Sequence, residues 1–194
     1  MSRTVNGLDA DRLRDTIDAI RNSPGQGQLR LSASNRWVDG TRCRTRIDGY
    51  RLGGKEQAHQ QVFMVESDEP PGLLGEDRAP GATEALLYAL ASCLSTTLIF
   101  HATLRGIQVE ELELDLEGDL DLRGLLGVTD KVRNGFDTIR LTFRITADTT
   151  VEMMQELCRL GQQYSPVYDM VTHVTPVIAS VDAKPSKPGS RKAA

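Results

Sequence analysis

Three cysteines, Cys43, Cys93 and Cys158, are the residues of this 194-residue chain that are most suited to redox chemistry. They are far apart in the sequence and form no CxxC pair, so their spacing predicts neither a zinc site nor a disulfide framework. We therefore expect three reduced thiols, no bound metal and no cofactor. A thiol is a strong nucleophile only as the thiolate, and free cysteine, with a pKa of about 8.5, is mostly protonated at neutral pH. A reactive cysteine in this chain needs a neighbouring cation.

Cys93 lies inside a stretch without formal charge, ALLYALASCLSTTLIFHATL, at residues 85–104. A membrane-spanning helix needs about 20 mostly apolar residues, whereas this stretch also contains serine, threonine and histidine. The whole chain is 39% hydrophobic and 26% charged with a net charge of -4, which is typical of a globular protein. We therefore predict a buried helix and no membrane contact. From the residues alone, Cys93 is more simply a buried structural thiol than a reactive one.

The ends of the chain and its charge favour a cytoplasmic protein that binds no nucleic acid. The first residues, MSRTVNGLDADRLRD, are polar and lack the apolar run of a secretory signal. The body of the chain has no concentrated basic patch. The basic end, AKPSKPGSRKAA, is rich in proline, glycine and serine, which is typical of a disordered tail. We assign residues 1–24 to an N-terminal helix extension, 25–182 to one folded domain and 183–194 to the tail.

Hydrophobic periodicity predicts an α+β domain, because strands and helices come in groups rather than in strict alternation. Asp39-Gly40 predicts a tight hairpin, and Ser165-Pro166 predicts the N-cap and first residue of a short helix. The predicted order is a helix (residues 8–21), three strands (28–38, 41–52 and 61–67), the central helix (85–104), two strands (110–122 and 136–147), a helix ending near Gly161, the short helix, and a last strand, PVIASV (176–181).

Two strand faces carry rows of like charge, and we interpret both as solvated surfaces. In the strand at residues 110–122 acidic residues alternate with leucines, without the glycine-bearing loop of a calcium site. Arg140 and Arg144 follow on the next strand, where opposite charges stabilise a strand pair by about 0.2–1 kcal/mol. The second row, Arg42, Arg44 and Arg46, lies on the hairpin and by itself predicts only a solvated face.

Several segments carry a family resemblance: GEDRAPGATEALLYALASC, RGI, EGDLDLRGLLG, VRNGFDTIRLTFRI and SPVYDMV. Together they resemble the OsmC/Ohr family, the osmotically induced and organic hydroperoxide resistance proteins, over roughly residues 29–181. The resemblance implies an OsmC-like fold, in which antiparallel sheets wrap around long central helices in an intertwined homodimer. It also implies reduction of small organic hydroperoxides by a cysteine pair, with electrons from an external thiol or dithiol.

The resemblance also implies roles for individual residues. Cys93 follows a run of small residues on the central helix, at the place of the family's peroxidatic cysteine. The cation beside that thiolate is, in the family, an arginine of the N-terminal hairpin; Arg42 is the best match, with Arg44 and Arg46 as alternatives. A glutamate at the start of the central helix commonly positions the arginine, and Glu84 matches it. Glu84 precedes Cys93 by nine residues, about half a turn around the helix, so the two do not touch along one face. An equally good interpretation is that Glu84 only stabilises the first turn of the helix, where an acid suits the positive end of the helix dipole.

Ser165 departs from the family pattern. Where two-cysteine members have Cys-Pro-Val, this chain has Ser165-Pro166-Val167, so the resolving thiol is missing. Nothing in the spacing of Cys43 or Cys158 makes either of them a substitute. Two functions stay open: a thiol-dependent organic hydroperoxide reductase or redox-stress protein with Cys93 as its single reactive cysteine, and a non-catalytic dimer that binds a small apolar ligand beside Cys93.

Overall fold

Within residues 3–185, which a computed structural model describes, the chain folds into two larger antiparallel sheets, a short N-terminal β-hairpin and five α-helices. The predicted α+β class is therefore confirmed. In chain order the strands are β1 (Thr4–Val5), β2 (Leu8–Asp9), β3 (Leu29–Leu31), β4 (Ser34–Asp39), β5 (Arg42–Leu52), β6 (Lys55–Ser67), β7 (Val109–Leu120) and β8 (Phe136–Ala147). The helices are α1 (Ala10–Asn22), α2 (Ala82–Arg105), α3 (Leu122–Leu125), α4 (Val151–Tyr164) and α5 (Pro166–Thr172).

The four-stranded sheet has β5 at its centre. β6 pairs along one side of β5, and β4 and β3 share its other side. The chain turns from β4 to β5 at Gly40, whose φ of 51° suits glycine, so the predicted Asp39-Gly40 hairpin is confirmed. β6 begins at Lys55, earlier than predicted, because Gly53 and Gly54 close a second tight hairpin.

The four-stranded sheet is barely covered by the rest of its own chain. Val62, Phe63, Met64 and Val65 alternate between its two faces, yet each of them is 42–53% exposed. Trp37 on β4 is 64% exposed. Contiguous exposed apolar side chains mark a surface that another molecule covers.

The core lies where α2 and α4 pack against the inner face of the β7–β8 ribbon. Leu98 and Ala102 on α2 and Leu157 on α4 are fully buried there. Partly buried side chains of the ribbon complete the cluster, among them Leu112, Phe143 and Ile145. Burying a leucine side chain stabilises a fold by about 1.5–3 kcal/mol, so this cluster anchors α2.

Gly161 is a point of close approach between α2 and α4, since a Cβ there would lie 3.4 Å from the Leu94 carbonyl oxygen. The prediction that α4 ends near Gly161 is wrong: the helix continues to Tyr164, and the glycine serves packing. Leu157, one turn earlier on α4, packs with Ala102, which lies two turns later on α2 than Leu94. The two helices are therefore antiparallel.

The long central helix α2 buries one face only. Leu90, Leu94 and Leu98, at four-residue intervals, are buried, whereas Tyr88 is 73% and Phe100 41% exposed. By length and composition α2 is apolar enough to cross a membrane, a property that core helices of soluble proteins share. Only 28% of its most apolar 18-residue window is buried within the chain. The predicted buried helix is thus observed for one face, and the other faces are partly buried or exposed within the described residues.

The β7–β8 ribbon carries the predicted charge pattern on its outer face. Glu113 lies opposite Arg144, and Glu117 lies opposite Arg140. The Arg140 guanidinium is 2.7 Å from the carboxylate of Asp119. Exposed ion pairs of this kind contribute about 0–1 kcal/mol each. The acidic row is therefore a solvated strand face, as expected.

Residues 4–22 close the far end of α2. Asn6, with a φ of 52°, donates hydrogen bonds to the Thr103 hydroxyl at 3.2 Å and to the Ile107 carbonyl at 3.0 Å. Its side-chain oxygen accepts a hydrogen bond from the Val109 N–H at 2.8 Å. The predicted N-terminal helix follows as α1, which begins slightly later than predicted because Asp9 caps it.

The prediction of a last strand at PVIASV is wrong. Residues 174–181 pair with no strand in the part of the chain that the structure describes. Val174, Val177, Ile178 and Val181 are 89–97% exposed. The segment has the composition of a strand, but a strand also needs a partner edge that supplies hydrogen bonds.

Candidate functional site

Cys93 lies in the middle of α2, half-buried, beside the buried face of the helix. It follows Leu90 by three residues, so the two side chains leave the helix about 60° apart. The backbone carbonyl of Cys93 accepts a hydrogen bond from the Thr97 hydroxyl at 2.8 Å. The thiol is neither sealed in the core nor fully open to solvent, and partial exposure is the setting of reactive cysteines.

Ser165 separates α4 from α5 and is 1% exposed. Its hydroxyl accepts a hydrogen bond from the Tyr168 N–H at 3.2 Å, so the predicted N-cap is confirmed. Because α4 is antiparallel to α2, it advances toward the start of α2, and Ser165 lies about one turn beyond Gly161. This progression brings Ser165 to the level of the α2 turn that contains Cys93.

Glu84 lies in the first turn of α2, where its carboxylate accepts a hydrogen bond from the Gly81 N–H at 2.7 Å. This contact is the glutamate half of a capping box, since Gly81 has no side chain to complete it, and a negative charge also suits the positive end of the helix. Cys93 lies about 13 Å farther along the helix axis, so Glu84 and Cys93 of one chain do not touch. The cavity beside Glu84 is lined instead by Arg78 and Tyr88.

The three hairpin arginines differ in their partners. Arg44 donates two hydrogen bonds to the Glu66 carboxylate, at 2.9 and 2.6 Å. Arg46 pairs with Asp48 at 3.1 Å. Arg42, half-buried at the first position of β5, forms no ion pair with any carboxylate within residues 3–185. No hydrogen bond joins its guanidinium to Cys93 within that part of the chain.

Asp68 is a buried carboxylate, only 2% exposed, that was not predicted from the sequence. It accepts hydrogen bonds from the Thr41 hydroxyl at 2.6 Å and from the N–H groups of Glu69, Glu76 and Arg78 at 2.9, 3.2 and 3.2 Å. The Thr41 hydroxyl, aided by the three backbone donors, holds the pKa of Asp68 below its usual range although burial opposes this. An aspartate between a strand and a proline-rich loop is the only local signal of this site.

The other two thiols lie on different elements. Cys43 is on β5 opposite Trp37. Cys158 is on α4 in an apolar groove beside Phe143 and Met154, and burial raises its pKa, which disfavours the thiolate. Within residues 3–185 no group of three His, Cys, Asp or Glu side chains is arranged to hold a metal ion.

Known proteins share this architecture. The family model described as OsmC-like protein matches residues 75–180, which include Glu84, Cys93 and Ser165 but not Arg42. An OsmC-like protein from Mycoplasma pneumoniae is structurally similar, with a TM-score of 0.58 and 16% identity over 75% of this chain and 89% of that chain. The organic hydroperoxide resistance protein OsmC from Legionella pneumophila gives a TM-score of 0.50 and 14% identity over 72% of this chain and 88% of that chain. No curated protein matches the sequence significantly. The expected OsmC-like fold is confirmed for the single chain.

Proposed function

Because the chain belongs to the OsmC-like family, we propose that it is a thiol-dependent organic hydroperoxide reductase or redox-stress protein with Cys93 as its single reactive cysteine. The main support is the antiparallel packing of α4 on α2. From this packing we infer that Cys93 and Ser165, the residues that we match to the family's two cysteine positions, lie at one level of the helix pair. The likeness to a hydroperoxide resistance protein supports the redox-stress role.

The proposed reaction transfers one oxygen atom to sulfur. The Cys93 thiolate attacks the distal oxygen of a small organic hydroperoxide, the O–O bond breaks, and the leaving alkoxide takes up a proton to become an alcohol. Cys93 becomes a sulfenic acid. Because Ser165 has no thiol, an external thiol displaces water from the sulfenic acid and forms a mixed disulfide, and a second thiol then releases reduced Cys93.

Arg42 is the proposed cation that stabilises the Cys93 thiolate. Arg44 and Arg46 each have a carboxylate partner, whereas Arg42 has none in the described residues. Its positive charge is therefore not neutralised by an acid of its own sheet. Glu84 is proposed to orient Arg42 in addition to capping α2.

The proposed working form is a homodimer. The four-stranded sheet that carries Arg42 packs little against α2 of the same chain, so we infer that Arg42 reaches Cys93 of a second copy. That sheet exposes apolar side chains on both faces, and most of the apolar window of α2 is not buried. A second copy would cover both surfaces. We propose a cytoplasmic location, because small-thiol reductants keep cysteines reduced there.

A non-catalytic dimer that binds a small apolar ligand beside Cys93 is the second candidate. Ser165 favours it, since a buried hydroxyl in place of the resolving thiol cannot form a disulfide. Cys93 would then only line the pocket. The two functions differ in the reactivity of this one thiol.

The test is the pH dependence of Cys93 alkylation by iodoacetamide, followed by peptide mass in a C43S/C158S background. We expect a labelling midpoint clearly below about 8.5. R42A should raise the midpoint, whereas the matched control R44A should not, because Glu66 already binds Arg44. A wild-type midpoint at or above about 8.5 would favour the ligand-binding protein.

A further inference from the structure

Asp68 joins two chain segments that are distant in sequence. One carboxylate oxygen accepts hydrogen bonds from the Thr41 hydroxyl and the Glu69 N–H. The other oxygen accepts the N–H groups of Glu76 and Arg78. Both oxygens of this 2% exposed carboxylate are thus engaged, by one donor of the sheet and three donors of the following loop. A buried ionised group is stable only when it is satisfied in this way.

One segment carries Arg42, the proposed cation for Cys93, and the other leads to Glu84, which is proposed to orient Arg42. Thr41 directly precedes Arg42, the first residue of β5, so its bond to Asp68 fixes the backbone from which the Arg42 side chain extends. The other donors lie in the loop of residues 69–81, which leads into α2. Gly81, whose N–H donates to Glu84, also lies close to the Asp68 carbonyl oxygen, 3.7 Å from a Cβ built there. Asp68 therefore contacts both the residue before Arg42 and the loop that leads to Glu84.

The loop of residues 69–81 holds an unfavourable backbone conformation. Leu74 and Asp77 have φ values of 62° and 54°, in the left-handed region that residues other than glycine rarely adopt. Leu74 is 91% exposed, so packing of its side chain does not hold it there. Gly75 has no space for a side chain because the Glu69 carbonyl occupies it. Strained backbone persists only where surrounding contacts determine it, and Asp68 supplies such contacts.

We infer that Asp68 is a positioning residue for the proposed hydroperoxide reduction: through Thr41 it holds Arg42 where the guanidinium stabilises the Cys93 thiolate of the second copy in the proposed homodimer. The inference rests on the proposed function, since it needs Arg42 to act on Cys93. Asp68 itself touches neither substrate nor sulfur. Its effect must therefore reach the thiol through Arg42, which makes the inference testable by substitutions at both ends of the Thr41–Asp68 hydrogen bond.

Two variants disturb the hydrogen bonds of Asp68 in different ways. D68N replaces one acceptor oxygen by an NH2 group, which then faces donors in place of an acceptor. T41V removes the hydroxyl and leaves the three backbone donors to Asp68 intact. T41S keeps a hydroxyl at the same position and is the conservative variant.

The experiment measures iodoacetamide labelling of Cys93 against pH in the full chain carrying C43S/C158S. We expect D68N and T41V to raise the midpoint toward that of R42A. Labelling at pH 7 should then slow by up to about tenfold for every full pH unit by which the midpoint rises. T41S should keep the wild-type midpoint. Adding D68N to R42A should raise the midpoint no further, because both substitutions act through one guanidinium.

D121N is the matched control, because Asp121 also anchors a loop by accepting the Arg123 N–H, at 2.9 Å, but lies at the end of the β7–β8 ribbon. It should leave the midpoint unchanged. If R42A shifts the midpoint while D68N and T41V do not, the inference is overturned and the proposed function stands. A wild-type midpoint at or above about 8.5 overturns both. If D68N does not fold, the labelling midpoint of T41V alone tests the inference.

Discussion

Ser165 gives a direct probe of the site at the scale of single residues, because it lies at the level of Cys93 and lacks only a thiol. S165C treated with one equivalent of an organic hydroperoxide should form a disulfide between Cys93 and the introduced cysteine. Its dithiol-driven turnover should rise well above that of wild type. Wild type should instead stop at a sulfenic acid or over-oxidise to a sulfinic acid, because no internal partner captures the sulfur.

Intact mass and peptide mapping after peroxide treatment distinguish these products. C43S/C158S excludes the other two thiols as partners, and S165A is the matched control that forms no disulfide. If S165C forms no disulfide under mild oxidation, either the two positions are not neighbours or Cys93 is inert. An inert Cys93 contradicts the proposed peroxidase, and distant positions of the two residues remove its main structural support.

Asp68 also determines how stability depends on pH. Its pKa in the folded chain is lowered, chiefly by the Thr41 hydroxyl, so the ionised carboxylate stabilises the fold above the unfolded-state pKa of about 3.9. This contribution is lost as the pH falls through the folded-state pKa. We expect D68N to lower the melting temperature at pH 7 and to lose less stability than wild type on acidification below about pH 4. Thermal unfolding followed by circular dichroism checks this, and equal acid sensitivity of both proteins would contradict it.

The caps at Ser165 and Glu84 could be predicted from the sequence because donor and acceptor lie three residues apart. The Thr41–Asp68 pair could not, since its members are 27 residues apart and meet only when β5 and β6 have paired. The difference between Arg42 and the other hairpin arginines was hidden for the same reason. It depends on which carboxylate lies beside each guanidinium in the folded sheet.

At the scale of elements, the packing of α2 against α4 and the ribbon decides whether Cys93 keeps its place. Leu98 is fully buried at the centre of this contact. L98A should therefore lower the free energy of unfolding by about 2–5 kcal/mol, through lost burial and the cavity left behind. L126A is the matched control, because Leu126 is 64% exposed, and it should change stability by no more than about 0.5 kcal/mol. Urea unfolding measures the free energy of unfolding of both variants. Equal losses in L98A and L126A would show that α2 is not the core helix.

Local patterns predicted most elements but not all of their ends. β8 spans Phe136–Ala147, as the alternation of apolar and polar residues after Asn134-Gly135 predicts. The sequence mispredicts the end of α4 because a glycine after a helical pattern indicates a helix end, whereas the lack of a side chain at Gly161 serves contact with α2. The PVIASV strand was mispredicted because its pattern specifies apolar faces but supplies no neighbouring edge. Both errors concern contacts between elements that are distant in the sequence, which a short stretch of residues does not specify.

At the scale of the whole molecule, the uncovered sheet and helix surfaces predict an obligate homodimer. We expect light scattering to give twice the chain mass at low micromolar concentration. The melting temperature should rise with protein concentration, because association stabilises the folded state by mass action. A folded monomer under these conditions would remove both the dimer and any site shared between two copies.

Trp37 is the single tryptophan of the chain and projects, 64% exposed, from the four-stranded sheet. Its indole N–H donates a hydrogen bond to the Gly40 carbonyl at 2.9 Å, which holds the ring at the hairpin turn. The protein therefore carries its one tryptophan fluorophore on the surface that a second copy is proposed to cover. Its fluorescence emission would shift to the blue as copies associate and to the red on dilution. The emission spectrum of the unlabelled protein would therefore report its state of assembly.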